Sequence, residues 1–204
     1  MEIFSVNSTA VLAFSAGADY PRLSVAVLTE LDSLLEQVKG AGLFGGVVIA
    51  ASEKSFATGA EVSELAAVRG YIAREFAARG QNTCRRIEAF PLPVVAAIRG
   101  FCLGGGLDLA LACHGRVAAY DASFAHPGAS LGLLTGWGGT QRLPRLIGKA
   151  AALQMFVTAE RIPATQALTM GLVDALAPSP DLLSAAAKRA QALATGDFRL
   201  PATD

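Results

Sequence analysis

A chain of 204 residues that is 52% apolar has ample material for a buried core, which excludes disorder as its main state and suits one domain with at most a small appendage. Seventeen basic residues cancel seventeen acidic ones, so no global positive field speaks for nucleic acid. No apolar run is long enough to span a bilayer, and Met1-Glu2-Ile3-Phe4 shows no basic segment followed by an apolar one. The reading is a cytoplasmic protein with no membrane or nucleic-acid partner. Cys84, Cys102 and Cys113 are odd in number and lack metal spacing, so they read as reduced thiols and no metal site is expected. Cys102, beside three glycines, is a buried apolar thiol in this reading rather than a nucleophile.

In chain order, Ile3–Val6 and Thr9–Phe14 read as a hairpin turning at Asn7-Ser8, and 16–23, with Gly17, Asp19 and Pro21, as loop. Ser24 then caps a helix carrying Val25, Leu28, Leu31, Leu34, Leu35 and Val38 at helical spacing, ended by Gly40 and Gly42. Gly46–Ala51 is a strand buried on both faces. A helical stretch runs from Val62 to about Ala89, interrupted at Gly70 and Gly80. Pro91 and Pro93 stop it, and Val94–Ile98 is a second buried strand. Predicted next are a short helix over Leu107–Cys113, strands at Arg116–Tyr120 and Ala122–Ala125, and a Gly-rich loop over Pro127–Gly139. Helices follow at Thr140–Leu146, Lys149–Thr158 and Ala164–Met170, the last capped by Gly171. A strand at Leu172–Leu176 and a helix at Leu182–Ala194 complete the pattern. Alternating strands and helices make the fold α/β with mostly parallel pairing.

The chemistry concentrates at Gly104-Gly105-Gly106-Leu107-Asp108. Three glycines allow close approach of backbone, and the helix behind them begins with free N–H groups and the positive end of its dipole. That is a place to hold developing negative charge. Asp108 falls in the first helical turn, either merely stabilising the helix N-terminus or facing the same spot. No phosphate-binding G-x-x-x-x-G-K-[ST] and no dinucleotide fingerprint occurs.

Three blocks, in order and spacing, resemble the enoyl-CoA hydratase/isomerase (crotonase) superfamily. Ser55-Phe56-Ala57-Thr58-Gly59-Ala60-Glu61 resembles its F-x-x-G-A-D block. Pro93 to Gly100 with Gly104 to Ala110 resembles P-V-I-A-A-V-x-G…G-G-G-x-E-L-A. Gly138-Gly139-Thr140-Gln141-Arg142-Leu143 resembles G-G-T-Q-R-L, and Gly171-Leu172-Val173-Asp174 a later A-x-x-x-G-L-V segment. The resemblance covers roughly 23–177. It implies a spiral of ββα units with two roughly perpendicular sheets surrounded by helices, in one domain over 1–204. Residues from about 180 onward would be a short remnant of a C-terminal helical region that is longer in most members.

The resemblance also implies an acyl-CoA thioester as substrate, with coenzyme A part of it and no separate cofactor. By motif position the thioester oxygen would be held by the amides of Ala60 and Gly105 as enolate charge develops. Phe56, Ala57 and Gly59 belong to the segment that contacts coenzyme A in the family, Gly104 and Gly128 would border the substrate, and Trp137 would either line the acyl pocket or pack. A homo-oligomer, trimer or hexamer, is implied as well.

The chain departs from the family at its acids. The position of the first catalytic glutamate is Asp108, one methylene shorter, and that of the second is Gly128, which transfers no proton. Nearby candidates for acid–base work are Glu61 or Glu64 on the other wall and His126, which titrates near neutrality when unperturbed. The bland alternatives are that His126 only bonds backbone and that Glu61 orders its own loop at a helix start. By strand alternation, His126 and Gly128 would share a face if the strand continued past Pro127. His114 is read as a cation at a helix C-terminus. Arg142, Arg145 and Lys149 fall at helical spacing, facing either coenzyme A phosphates or solvent. Three readings compete: a hydratase or isomerase stabilising a thioester enolate; a hydrolase, decarboxylase or dehalogenase-like use of the same oxyanion site through Asp108 or His126; and a non-catalytic acyl-CoA-binding paralogue.

Overall fold

The computed structural model describes residues 1–15, 19–67 and 69–196. Gly17 of the predicted first loop, Val68 of the long helical stretch and the tail 197–204 lie outside the described residues.

Two sheets surrounded by helices form the structure. The larger has strand order β1-β2-β3-β4-β6-β9, built from Glu2–Val6, Thr9–Ala13, Gly46–Ala50, Val94–Ile98, Gly115–Ala119 and Ala175–Ala177. Its β1–β2 hairpin is antiparallel and every other pairing is parallel. The smaller has the order β5-β7-β8, from Phe101–Leu103, Ser123–Ala125 and Ile162–Pro163. The helices are α1 (Val25–Ala41), α2 (Val62–Ala67), α3 (Tyr71–Glu88), α4 (Gly105–Ala112), α5 (Gly139–Ile147), α6 (Lys149–Thr158), α7 (Ala164–Thr169) and α8 (Leu182–Thr195).

Period-two alternation divides the core between the two faces of the large sheet. Leu12, Val47, Ile49, Val94, Ala96 and Ile98 face a core shared with Leu28, Leu31 and Leu35 of α1, Ile87 of α3 and Leu107 and Leu109 of α4. Val11, Val48, Val95, Ala97 and Val117 face Leu182, Ala186 and Ala190 of α8. The central strands are buried on both faces, which is why they read as continuous apolar runs. Ser24 caps α1, its hydroxyl accepting from the Val27 amide at 3.2 Å, while Glu64 accepts from the Val25 amide at 3.0 Å.

Several boundaries differ from the sequence reading. Gly40 stays inside α1, which ends at Gly42 in the left-handed region. Gly70 separates α2 from α3 as expected, but Gly80 lies within α3 because the Trp137 ring packs against it. The strand expected at Leu172–Leu176 is displaced to Ala175–Ala177, since the Asp174 carboxylate turns back to accept from the Arg116 amide at 2.9 Å. Pro127 does not continue a strand: β7 stops at Ala125 and a 3-10 turn spans Pro127–Leu131. His114 is not a cation. Its Nδ1 accepts from the Val94 amide at 2.9 Å, which only a neutral ring can do, and burial lowers its pKa.

The smaller sheet positions everything that follows. After β4 the chain crosses between sheets at Arg99-Gly100. Gly100 has φ +54, and a Cβ there would fall 1.9 Å from the Lys54 carbonyl oxygen. Both the backbone conformation and the close approach require glycine. Gly100→Ala is expected to lower the unfolding free energy by about 3 kcal/mol, from left-handed strain plus forced displacement of backbone. Urea unfolding measures it, and a loss under about 0.5 kcal/mol would contradict this account of the crossing.

Candidate active site

The segment after β3 is laid onto β5. The Phe56 and Ala57 amides donate to the Phe101 carbonyl, each at 3.1 Å, the Leu103 amide donates to the Ala57 carbonyl at 2.9 Å, and Ala57 pairs in parallel with Cys102. Two residues past Ala57 and three past Cys102 the chains still touch, since a Cβ on Gly59 would lie 3.8 Å from the Gly105 nitrogen. On the other side, Leu23 donates to the Gly59 carbonyl at 2.8 Å and accepts from the Glu61 amide at 3.4 Å. By strand alternation the Ala60 N–H is therefore turned away from Leu23. Gly105 is the first residue of α4, where an N–H has no intrahelical acceptor.

Ala60 and Gly105 border a cavity of about 290 Å³. Asp108, His126, Gly59, Gly104, Gly128 and Trp137 line it too, so the structure brings together eight of the ten residues that the motif positions assign to catalysis or substrate binding. Phe56 and Ala57 are the exceptions. Both side chains are fully buried in the core, Phe56 edge-on against Phe14 at 5.6 Å, and neither reaches the cavity. The remaining walls are mostly apolar, with Val62, Leu65, Phe76, Leu131, Leu133, Leu134 and Phe156 contributing, and the hydroxyl residues Thr58 and Thr135 also line the cavity. Asp108 and His126 are the ionisable groups among the described lining residues.

Asp108 is fully buried on the inner side of α4. Its Oδ2 accepts from the Thr135 hydroxyl and, at 3.1 Å, from the Trp137 amide. Its Oδ1 has no hydrogen-bond partner among the described residues. Burial drives its pKa up to about 6, against the opposing pull of the Thr135 hydroxyl, the Trp137 amide, the Arg142 guanidinium and the Gly139 amide. The carboxylate is thus largely ionised at neutral pH yet close enough to its pKa to accept and return a proton.

His126 follows β7 with its ring against Phe156, centroids 5.0 Å apart. Its Nε2 lies 3.8 Å from Asp108 Oδ1, too far for a hydrogen bond, and neither ring nitrogen has a partner among the described residues. Burial pushes its pKa down to about 4. It therefore does not titrate near neutrality, as its type alone suggests, and stands as a neutral imidazole. At Gly128 a Cβ would lie 2.9 Å from the Leu133 carbonyl oxygen.

Trp137 both packs and lines the cavity. Its ring sits between Gly80 and Gly105, where added Cβ atoms would approach to 2.2 Å and 2.6 Å. Gly105 is thus required by a close approach as well as by its place at the helix start. Glu61 does not face the cavity; its Oε1 accepts from the Ser63 amide and hydroxyl at 3.2 and 3.0 Å, ordering the start of α2. Glu64 is likewise turned to the start of α1. Arg142 is gripped by Glu88 at 2.8 and 3.3 Å and donates to the Trp137 carbonyl at 3.0 Å, so it braces the site rather than facing solvent or ligand. The three cysteines are free and buried, and burial raises each thiol pKa, which makes them inert. No group of three or more His, Cys, Asp or Glu among the described residues is placed to hold a metal ion, and no described helix is long and apolar enough to cross a membrane. Sequence reading missed Thr135 and the Glu88–Arg142 pair, whose roles come from contacts 27 and 54 residues apart in the chain.

Residues 8–199 match the sequence profile of the family described as enoyl-CoA hydratase/isomerase. A curated relative, the fatty acid oxidation complex subunit alpha of Shewanella loihica, is 43% identical over 191 residues, covering 91% of this chain and 27% of its own length. The chain thus spans about a quarter of that relative. Among solved structures, enoyl-CoA hydratase from Bacillus anthracis superposes with a TM-score of 0.88 at 34% identity, covering 95% of this chain and 76% of that one. DspI from Pseudomonas aeruginosa superposes at 0.87 with 31% identity, covering 97% and 81%. The two helix-wrapped sheets, the three motif blocks and this match over nearly the whole chain together place it: the protein belongs to the enoyl-CoA hydratase/isomerase family.

Proposed function

We propose that the protein is an acyl-CoA-binding enzyme that stabilises a thioester enolate between the amides of Ala60 and Gly105, with Asp108 as its acid–base group. The observation that carries this reading is the convergence on one apolar cavity of a helix-initial amide, a strand amide turned from its neighbour, and a buried carboxyl whose Oδ1 is free of partners among the described residues. Each oriented amide at a developing oxyanion is worth about 3 kcal/mol of barrier. Among the described residues the walls offer no cation, which suits an uncharged, apolar acyl group. The naming of a similar protein as a fatty acid oxidation subunit supports a fatty acyl chain.

In the hydration of a 2-enoyl-CoA, Asp108 Oδ1 takes a proton from water as the water oxygen bonds to C3. The electron pair of the double bond moves to the thioester oxygen, and the enolate then collects at C2 the proton Asp108 holds. One carboxyl does both transfers because position 128 carries no acid, and a pKa near 6 suits both directions. Neutral His126 Nε2 orients the water. The glycine at position 128, which transfers no proton, favours a second reading, in which the same oxyanion site serves hydrolysis, decarboxylation or dehalogenation through Asp108 or His126. Buried free thiols suit a cytoplasmic setting. A homo-oligomer, trimeric or hexameric, would cover the exposed Leu153 and Val157 on α6. Sedimentation as a multiple of the chain mass supports it, and a monomer at micromolar concentration overturns it.

Calorimetry is expected to show crotonyl-CoA binding, and its enoyl absorbance to decay with enzyme. Binding without decay overturns hydration and leaves the second reading or a non-catalytic acyl-CoA-binding paralogue; no binding overturns the thioester site itself. Asp108→Asn should lower turnover by about 10²–10⁴-fold while binding survives, with wild-type turnover falling below about pH 6 as the carboxylate protonates. The same substitution should stabilise the fold. The folded-state pKa of Asp108 lies about 2 units above its unfolded value, so its contribution to stability is present below pH 4 and lost as pH rises through 6. At pH 8 the asparagine variant should gain about 3 kcal/mol, a gain that fades as pH falls to 4 and below, by urea unfolding across pH. An unchanged rate or a pH-independent stability difference would contradict the role given to this carboxylate.

A further inference from the structure

We propose that Thr135 is a positioning residue for Asp108: its hydroxyl and the Trp137 amide together pin Oδ2, so that Oδ1 alone is presented to the cavity. The proposal rests on the reading of Asp108 as the acid–base group. A carboxyl turns readily about its last torsion, between two nearly equivalent orientations. Two donors on the same oxygen, from residues two apart on one loop, select one of them. The Trp137 end of that loop is held independently, by its ring between α3 and α4 and by Arg142 on its carbonyl, itself gripped by Glu88. Space for Oδ1 is kept by Gly139, where a Cβ would fall 2.0 Å from it.

Thr135 thus supplies the side-chain donor, and its hydroxyl is the largest influence opposing the burial that raises the Asp108 pKa. The other ionisable groups around Asp108 are His126 after β7, Arg142 on α5 with Glu88 on α3 behind it, and the thiols of Cys84 on α3 and Cys102 on β5. Thr135→Val leaves all of them in place. A threonine that held the loop through the packing of its methyl group alone would change stability on removal and leave the titration of Asp108 where it was.

The test needs no substrate. Carbon-13 NMR of aspartate-labelled protein follows the Asp108 carboxyl through a pH titration, its resonance assigned by loss in Asp108→Asn. Thr135→Val should raise the Asp108 pKa by about one unit. Thr135→Ala, which removes the same donor without branching, should do the same, and Thr135→Ser should restore the wild-type value. An unmoved titration in the valine and alanine variants, or a serine variant that behaves like valine, overturns the proposal. Failure of the acyl-CoA reading would appear elsewhere, as wild-type protein that neither binds nor turns over crotonyl-CoA while its carboxyl titration still answers to Thr135.

Discussion

The seam between the segment after β3 and strand β5 governs the rest of the architecture. Backbone hydrogen bonds from Phe56 and Ala57 to Phe101, and from Leu103 to Ala57, lock two stretches that belong to neither end of a single regular sheet. Because the contacts are main-chain and the side chains of Phe56, Ala57 and Cys102 are fully buried, the register has no freedom to slide. That register brings Gly59 beside Gly105, and with it Ala60 and Gly105 to the border of one cavity. Phe56 and Ala57 build the seam that aligns their neighbours.

On this frame the protein buries one carboxyl in an apolar chamber and balances its charge only in part. Two donors satisfy Oδ2, the Arg142–Glu88 pair stands behind the Trp137 amide, and Oδ1 is left with no partner among the described residues. An unsatisfied buried oxygen costs stability, and such a cost is retained where function uses the group. The neighbouring imidazole is also without partners among the described residues and is held neutral by burial. The pair is therefore a carboxylate beside a neutral histidine, not an ion pair.

Much of this was legible in the chain. The doubly buried strands announced themselves as apolar runs at Gly46–Ala51 and Val94–Ile98, Ser24 marked the start of α1, and the glycines before Asp108 marked a helix N-terminus, which borders the cavity. What escaped was short or long-range. Phe101–Leu103 and Ile162–Pro163 are too brief for periodicity to register, and they are strands because partners lie beside them. Gly80 looks like a helix breaker until the Trp137 ring is placed on it. Arg142 reads as one of a basic series until Glu88, from another helix, takes its guanidinium. The titration of His126 was not legible for the same reason, since side-chain type sets a starting pKa and burial decides where it ends.

The central claim is that Ala60 and Gly105 present two amides to one thioester oxygen while Asp108 Oδ1 faces the reacting carbons. A crystal structure with an unreactive acyl-CoA analogue bound reads this directly. The account predicts the thioester oxygen within about 2.7–3.1 Å of both nitrogens and the α and β carbons next to Asp108 Oδ1. A thioester oxygen bonded to neither amide, or an acyl group seated away from Asp108, would contradict it.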